Sequence, residues 1–194
     1  SYWLPPFLRR FHERHPAITL QVTAANTQQI AEHLLHCRID VALVEGVIDD
    51  DRVEIRPWRS EEMIVISPRD FPLDTNLDPL AFGQHATWIM RERGSGSRDA
   101  TEALLLRIGT TAGAIIEVGS NEAIVQAVGA GVGVGVVPRI CARDALALGR
   151  VRRHVPNTGP VLRQLYRLRL PHRPVSPAAL AFEALLAMPE QIEE

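Results

Sequence analysis

Leu4, Phe7, Leu8 and Phe11 recur at i, i+3, i+4 and i+7, which predicts a helix over residues 3–14 with one apolar stripe, stopped by Pro16. The pattern then changes period. In AITLQV, Ile18, Leu20 and Val22 alternate with polar neighbours and predict a strand with one buried face. ANTQQIAEHLLHC returns to helical spacing: Asn26 is placed to cap, Gln29 stands three residues on as a capping box requires, and Ile30, Leu34 and Cys37 share one face. Cys37 is therefore expected in the core. RIDVALV is a short apolar run of the kind found in a strand buried on both faces. Helix and strand alternate up to this point, an order that implies a parallel α/β sheet.

The same scheme continues. EEMIVISP is a further strand, broken by Pro68 and Pro72, and ISPRDFPLDTNLDPL marks a break in composition near residue 67. ATWIM predicts a strand, and a helix follows from about Arg98 to Arg107. AIIEV, a turn at Gly119-Ser120-Asn121 and a helix carrying Ile124, Val125 and Val128 repeat the arrangement. VGVGVVP reads as a buried strand whose glycines allow close backbone approach, and RICARDALALG as a helix with Gly149 at its C-terminal end. LYRLRL alternates apolar residues with arginines, and Ser176-Pro177 opens a terminal helix through Leu180, Ala184 and Ala187.

Composition removes several chemistries. The 21 basic residues are all arginine, so a Schiff-base lysine, a Walker-A lysine and a lysine general base are impossible. The net charge of -2 argues against a chain that is one nucleic-acid-binding surface. Arg139, Arg143, Arg150, Arg152, Arg153, Arg163, Arg167, Arg169 and Arg173 have only Asp144 as an acid within their span. They read as solvated strand faces and loop edges, with an anion or partner patch as the other reading. Cys37 and Cys141 belong to no CxxC, and His36 points away from the helix face of Cys37, so neither disulfide nor metal is expected. There is no GxSxG and no HExxH, the histidines at positions 12, 15, 85, 154 and 172 lack identifiable partners, and no catalytic residue or cofactor is assigned. No long apolar run and no export signal is visible, and a cytoplasmic location is expected.

The chemistry-bearing stretch is Gly94-Ser95-Gly96-Ser97-Arg98, directly before a helix. Backbone N–H groups at a helix start, with serine hydroxyls beside them, suit an anion, and Arg98 can add a charge-assisted bond. A P-loop is excluded by the missing lysine, and a dinucleotide fingerprint by Asp99 in the place of its third glycine. Spacing alone leaves a plain serine cap and a ligand-binding mouth equally open. Asn26-Thr27 and Ser120-Asn121-Glu122 repeat the logic of small polar groups where a strand runs into a helix. In open α/β sheets that edge binds ligands.

In this order the motifs resemble the effector-binding domain of LysR-type transcriptional regulators. YWLPPFLRRFHERHPAITLQV is similar to that family's first helix and second strand, and RIDVALV to its acidic-ended strand motif. RERGSGSR resembles REPGSGTR, GSNEAIVQAVGAGVGVGVVP resembles GSNEAIKQAVAAGLGI, and SPAALAFEALL resembles the final helix. The resemblance covers nearly the whole chain. It implies an α/β fold of two Rossmann-like lobes joined by two crossing strands, type II periplasmic-binding-protein-like, with lobe I at 1–67 and 169–194 and lobe II at 68–168. It further implies a small-molecule effector bound between the lobes, pairing of the domain into dimers and tetramers, and DNA contact only through a separate N-terminal winged helix-turn-helix.

By the same resemblance Thr27 stands at the ligand-contacting turn of lobe I and Ser95, Gly96 and Ser97 at the contacting loop of lobe II. Asn121 and Glu122 occupy the neighbouring helix start. Asn26, next to Thr27, and Arg98 complete the candidate ligand site, and helix starts with Arg98 make an anionic effector the expectation. Two departures stand out. Family domains open with a strand and a Ser/Thr turn before the first helix, whereas Ser1 is already in or beside that turn, and the proline of REPGSGTR is Arg93 here, which predicts a less rigid loop. The alternatives are a solute-binding protein of a transport system and a small enzyme on the same fold; caps without a base or nucleophile bind without reacting.

Overall fold

A computed structural model describes residues 2–46, 48–71, 84–154 and 159–188. The chain divides into two compact units, Ser1–Trp58 with Tyr166–Glu194, and Arg59–Leu165. The chain crosses between them on two strands, β2 (Glu54–Pro68) and β7 (Val161–Arg169).

The first unit holds α1 (Pro5–Arg14), α2 (Thr27–Leu35), β1 (Ala42–Val44) and α6 (Pro177–Ala187), with β1 antiparallel to β7 through Ala42↔Leu168 and Val44↔Tyr166. Both faces of β1 are covered, as its unbroken apolar run requires. Ala42 and Val44 pack with Ile30, Ala31 and Leu34 of α2, while Val41 and Leu43 lie against Phe7, Phe11, Phe182, Leu185 and Leu186. Phe11 and Phe182 meet edge to face at 5.3 Å, and each fully buried side chain of this size contributes about 1.5–3 kcal/mol. Asn26 and Gln29 form the capping box: the Asn26 carboxamide oxygen accepts from Gln29 N at 3.0 Å, and Asn26 N donates to Gln29 Oε1 at 3.3 Å.

Two expectations fail in this unit. AITLQV is not a strand, and Leu20 and Val22 are exposed. Alternation supplies an amphipathic face, but a strand also needs a neighbour to take its N–H and C=O groups, and among the described residues none pairs here. The terminal helix forms as expected behind its Ser176 cap; α6 buries Ala179, Phe182, Leu185 and Leu186, while Leu180, Ala184 and Ala187 are exposed.

Cys37 is exposed rather than core, because α2 ends at Leu35 and Cys37 takes φ 54°. Arg38 N donates to His33 O and Cys37 N to Leu34 O, the paired closure that normally has glycine in the left-handed position. Replacing Cys37 by glycine should raise stability by about 0.5–1 kcal/mol. An unchanged or lowered urea midpoint would contradict this.

The second unit is built on β3 (Thr87–Arg91), β4 (Ala114–Val118), β5 (Val134–Pro138) and β6 (Val151–His154), with parts of β2 and β7. Its helices are α3 (Gly96–Arg107), α4 (Asn121–Gly129) and α5 (Arg139–Ala147). β3 is parallel to β4 and to β5, whereas β2 is antiparallel to both β5 and β6. The sheet is mixed, not purely parallel, because β2 brings the chain into the unit against the direction of β5, one of the strands of the βα repeats. Met63 and Val65 of β2 join Leu104 and Leu105 of α3 on one face; Ile64 and Ile66 join Ile124, Val128 and Ala142 on the other.

Both glycines of VGVGVVP allow the close approach expected of them. A Cβ on Gly133 would lie 2.2 Å from Thr87 O, and one on Gly135 2.5 Å from Ile124 Cγ2. Much of the Pro-marked segment, residues 72–83, lies outside the described residues. No helix among the described residues is long and apolar enough to cross a membrane.

Candidate functional site

Because β3, β4 and β5 are parallel, α3, α4 and α5 all begin at one edge of the second unit's sheet. Arg91 of β3 stands opposite Val118 of β4, which places the Ser95–Arg98 and Ser120–Glu122 turns side by side. Asn26 and Thr27 belong to the first unit, at the start of α2.

Ser95 is the N-cap of α3, which begins at Gly96, two residues before the expected start. Its carbonyl accepts from Arg98 N and Asp99 N, but its side chain makes no capping bond. Ser95, Gly96, Ser97 and Arg98 are all buried. Asp99 does not satisfy the first turn as a helix-start carboxylate would. Its carboxyl is pushed above the usual range, first by burial and then by Glu102, against the pull of Arg98. At α4, Ser120 Oγ accepts from Ala123 N at 3.0 Å. Asn121 is buried and its Oδ1 has no hydrogen-bond partner, while Glu122 is exposed.

Arg98 is committed inward. Nε donates to Glu102 Oε1 at 2.8 Å, and Nη1 donates to Glu117 Oε2 and to Arg91 O, both at 3.0 Å. These bonds tie α3 to β3 and β4 through two partly exposed carboxylates, so the guanidinium braces the turn.

The arginine most closely joined to Ser97 is Arg163, which sequence reasoning placed on a solvated strand face. Arg163 and Glu61 are each about 95% shielded at their side chains. Arg163 Nη1 donates to Ser97 Oγ at 2.8 Å; Nε donates to Glu61 Oε1 at 2.8 Å, and Nη2 reaches the same oxygen. The signal was in the sequence: Arg163 shares strand parity with Val161 and Leu165, and Glu61 with Met63 and Val65, all buried. Two opposite charges on the apolar faces of neighbouring strands are expected to meet, since burial of either alone is costly.

Of the remaining candidates, His154 does have a partner. Its Nε2 lies 2.7 Å from Ser67 Oγ on β2, and burial, with the nearby Arg152 charge, holds its pKa below the ordinary value. Among the described residues no group of three or more His, Cys, Asp or Glu could hold a metal ion. The edge of the second unit therefore offers helix N–H groups, a serine hydroxyl held by a buried guanidinium, and a buried carboxamide oxygen. That set is chemically suited to polar small molecules; among the described residues it contains no paired base and nucleophile.

Comparison with known proteins agrees. The family described as LysR substrate binding domain matches residues 1–188. The uncharacterized HTH-type transcriptional regulator YeiE of Escherichia coli strain K12 is 28% identical over 182 residues, 94% of this chain and 62% of the relative. The HTH-type transcriptional regulator CysL of Bacillus subtilis is 30% identical over 147 residues, 75% of this chain and 49% of the relative. The chain thus spans under two thirds of the length of these curated relatives, which are regulators rather than enzymes. The regulatory domain of Synechocystis PCC6803 CcmR, solved in complex with 2-PG, superposes with a TM-score of 0.84 at 26% identity, covering 96% of this chain and 90% of that one. Fold, motif order and family match agree that the chain belongs to the LysR substrate-binding domains, with their periplasmic-binding-protein-like fold.

Proposed function

We propose that this chain is the effector-sensing regulatory domain of a LysR-type transcriptional regulator acting in the cytoplasm, and that its effector is a small anionic metabolite held at the start of α3. DNA contact would come from a separate N-terminal winged helix-turn-helix. The observation that carries the reading is the buried turn Ser95–Ser97: it opens α3, where the helix dipole favours negative charge, its cap side chain makes no bond to the helix, and Arg163 donates to the Ser97 hydroxyl. Arg98, matched by Glu102 and Glu117, supports the turn in this account. Asn121, Glu122, Asn26 and Thr27 remain proposed contacts. That CcmR is described with 2-PG supports a small-molecule ligand, and the regulatory relatives favour a sensor over a transport solute-binding protein.

A thermal-shift screen of organic acids, phosphorylated sugars and inorganic oxyanions, with neutral and cationic compounds as controls, tests the effector class. At least one anion should raise the melting temperature in a saturable way. Replacing Ser97 by alanine should then weaken that anion by about 1 kcal/mol, roughly fivefold. Stabilisation by neutral or cationic compounds alone would refute the anionic class.

The same reading includes self-association. Among the described residues β4 ends the strand order, and Ile115 and Ile116 on it are 49% and 42% exposed, an apolar edge suited to a second copy. Sedimentation equilibrium should find dimers or larger species, and Ile116→Lys should dissociate them. A wild-type monomer at high micromolar concentration, or an Ile116→Lys variant that assembles normally, would exclude this surface.

A further inference from the structure

Glu61, Ser97 and Arg163 come from segments 66 and 102 residues apart in sequence, yet they meet in one buried cluster. Their placement is specific. Glu61 lies on β2 just inside the second unit, which begins at Arg59, and Arg163 lies on β7 just before that unit ends at Leu165. The chain enters the second unit along β2 and leaves it along β7. Beside the ion pair, Ser60 Oγ donates to Gln164 Oε1 at 3.0 Å and Gln164 Nε2 donates to Arg59 O at 2.9 Å, so these two strand segments are joined by side chains as well.

We infer that Arg163, fixed by Glu61, is a positioning residue that ties the first turn of α3 to both crossing strands, so that the state of Ser97 is felt by β2 and β7. A guanidinium is suited to this. It is planar and always charged, and its fork can hold a carboxylate along one edge while donating from Nη1 to a third group. Shielded from water, the charge on Arg163 cannot leave Glu61 without a large desolvation penalty, so a movement of Ser97 is passed to the strands rather than absorbed by a loose side chain. Arg98 does not do this: its partners Glu102, Glu117 and Arg91 lie on α3, β4 and β3. The inference rests on the effector reading only for what acts on Ser97; the wiring itself is a property of the protein without ligand.

Hydrogen exchange on the whole chain without ligand tests the wiring. Ser97→Ala removes the hydroxyl that accepts from Arg163 Nη1 and leaves the ion pair; amides in segments 59–63 and 161–165 should exchange about tenfold faster or more. Ser97→Thr, which keeps the hydroxyl, should restore wild-type exchange. Ser176→Ala, which removes the cap of α6 in the first unit, should leave both segments unchanged. If Ser97→Ala leaves them unchanged, the coupling does not exist. If it accelerates them but Ser97→Thr does not restore them, the effect is packing at Ser97, and the positioning role falls equally. A chain that shows the exchange pattern but is stabilised by no anion keeps the wiring and loses the anionic effector.

Discussion

Replacing Glu61 by alanine is expected to cost about 3–5 kcal/mol, because it takes from the buried Arg163 guanidinium the buried carboxylate that it is paired with. Many domains have only about 5–15 kcal/mol in total, so the variant should be partly unfolded near room temperature in mild urea. The Coulomb attraction of the pair is not itself the size of this effect. Two charges taken from water lose most of that attraction to desolvation, and the single substitution removes the partner that offsets the desolvation of the other charge. The double variant Glu61→Gln, Arg163→Met should therefore recover most of the loss. Urea unfolding of the three proteins checks this: a loss below about 1 kcal/mol for Glu61→Ala would contradict the buried-pair account.

Gly133→Ala should be nearly as damaging, at about 1–3 kcal/mol or more, through overpacking rather than charge. The added Cβ would stand 2.2 Å from Thr87 O and 3.0 Å from Thr87 C, and backbone has no rotamer through which to yield. β5 and β3 would have to separate where Trp88 pairs with Val134. Gly119→Ala is the control, since nothing lies within 4 Å of its added Cβ. Equal melting temperatures for the two variants would contradict the close-approach account.

How much of this was legible depended on what each pattern measures. Periodicity with caps found nearly every element of the second unit, since helices that bury a stripe and strands buried on both faces each leave an unambiguous spacing. Asn26-Gln29 and Ser176 were readable as caps because their bonds are local. AITLQV was not, because a strand is a property of two segments and its alternation says nothing about the second. Cys37 was misplaced for a related reason: helical spacing was extended two residues beyond Leu35, where the paired closing bonds had already turned the backbone left-handed.

The candidate site divides along the same line. Ser95, Gly96, Ser97 and Asn121 could be placed by their position where a strand runs into a helix. Arg98 could be placed in the same way, but not its bonds to Glu102, one helical turn away, and Glu117 on a neighbouring strand. Arg163 and Glu61 were missed because charge was counted by cluster rather than by strand parity. Read by parity, each is a charge on an apolar face, and a pairing between β2 and β7 follows.

The central claim is that a small anion is held at the start of α3 within the Arg163–Ser97 frame. An amide NMR titration of the uniformly labelled chain, with an anion chosen by the thermal-shift screen, tests it most directly. The account predicts saturable shifts that are largest at Ser95, Gly96, Ser97 and Arg98, with smaller ones at Asn121, and their marked reduction in Ser97→Ala. Saturable binding whose largest shifts fall elsewhere, with residues 95–98 unmoved, would contradict it.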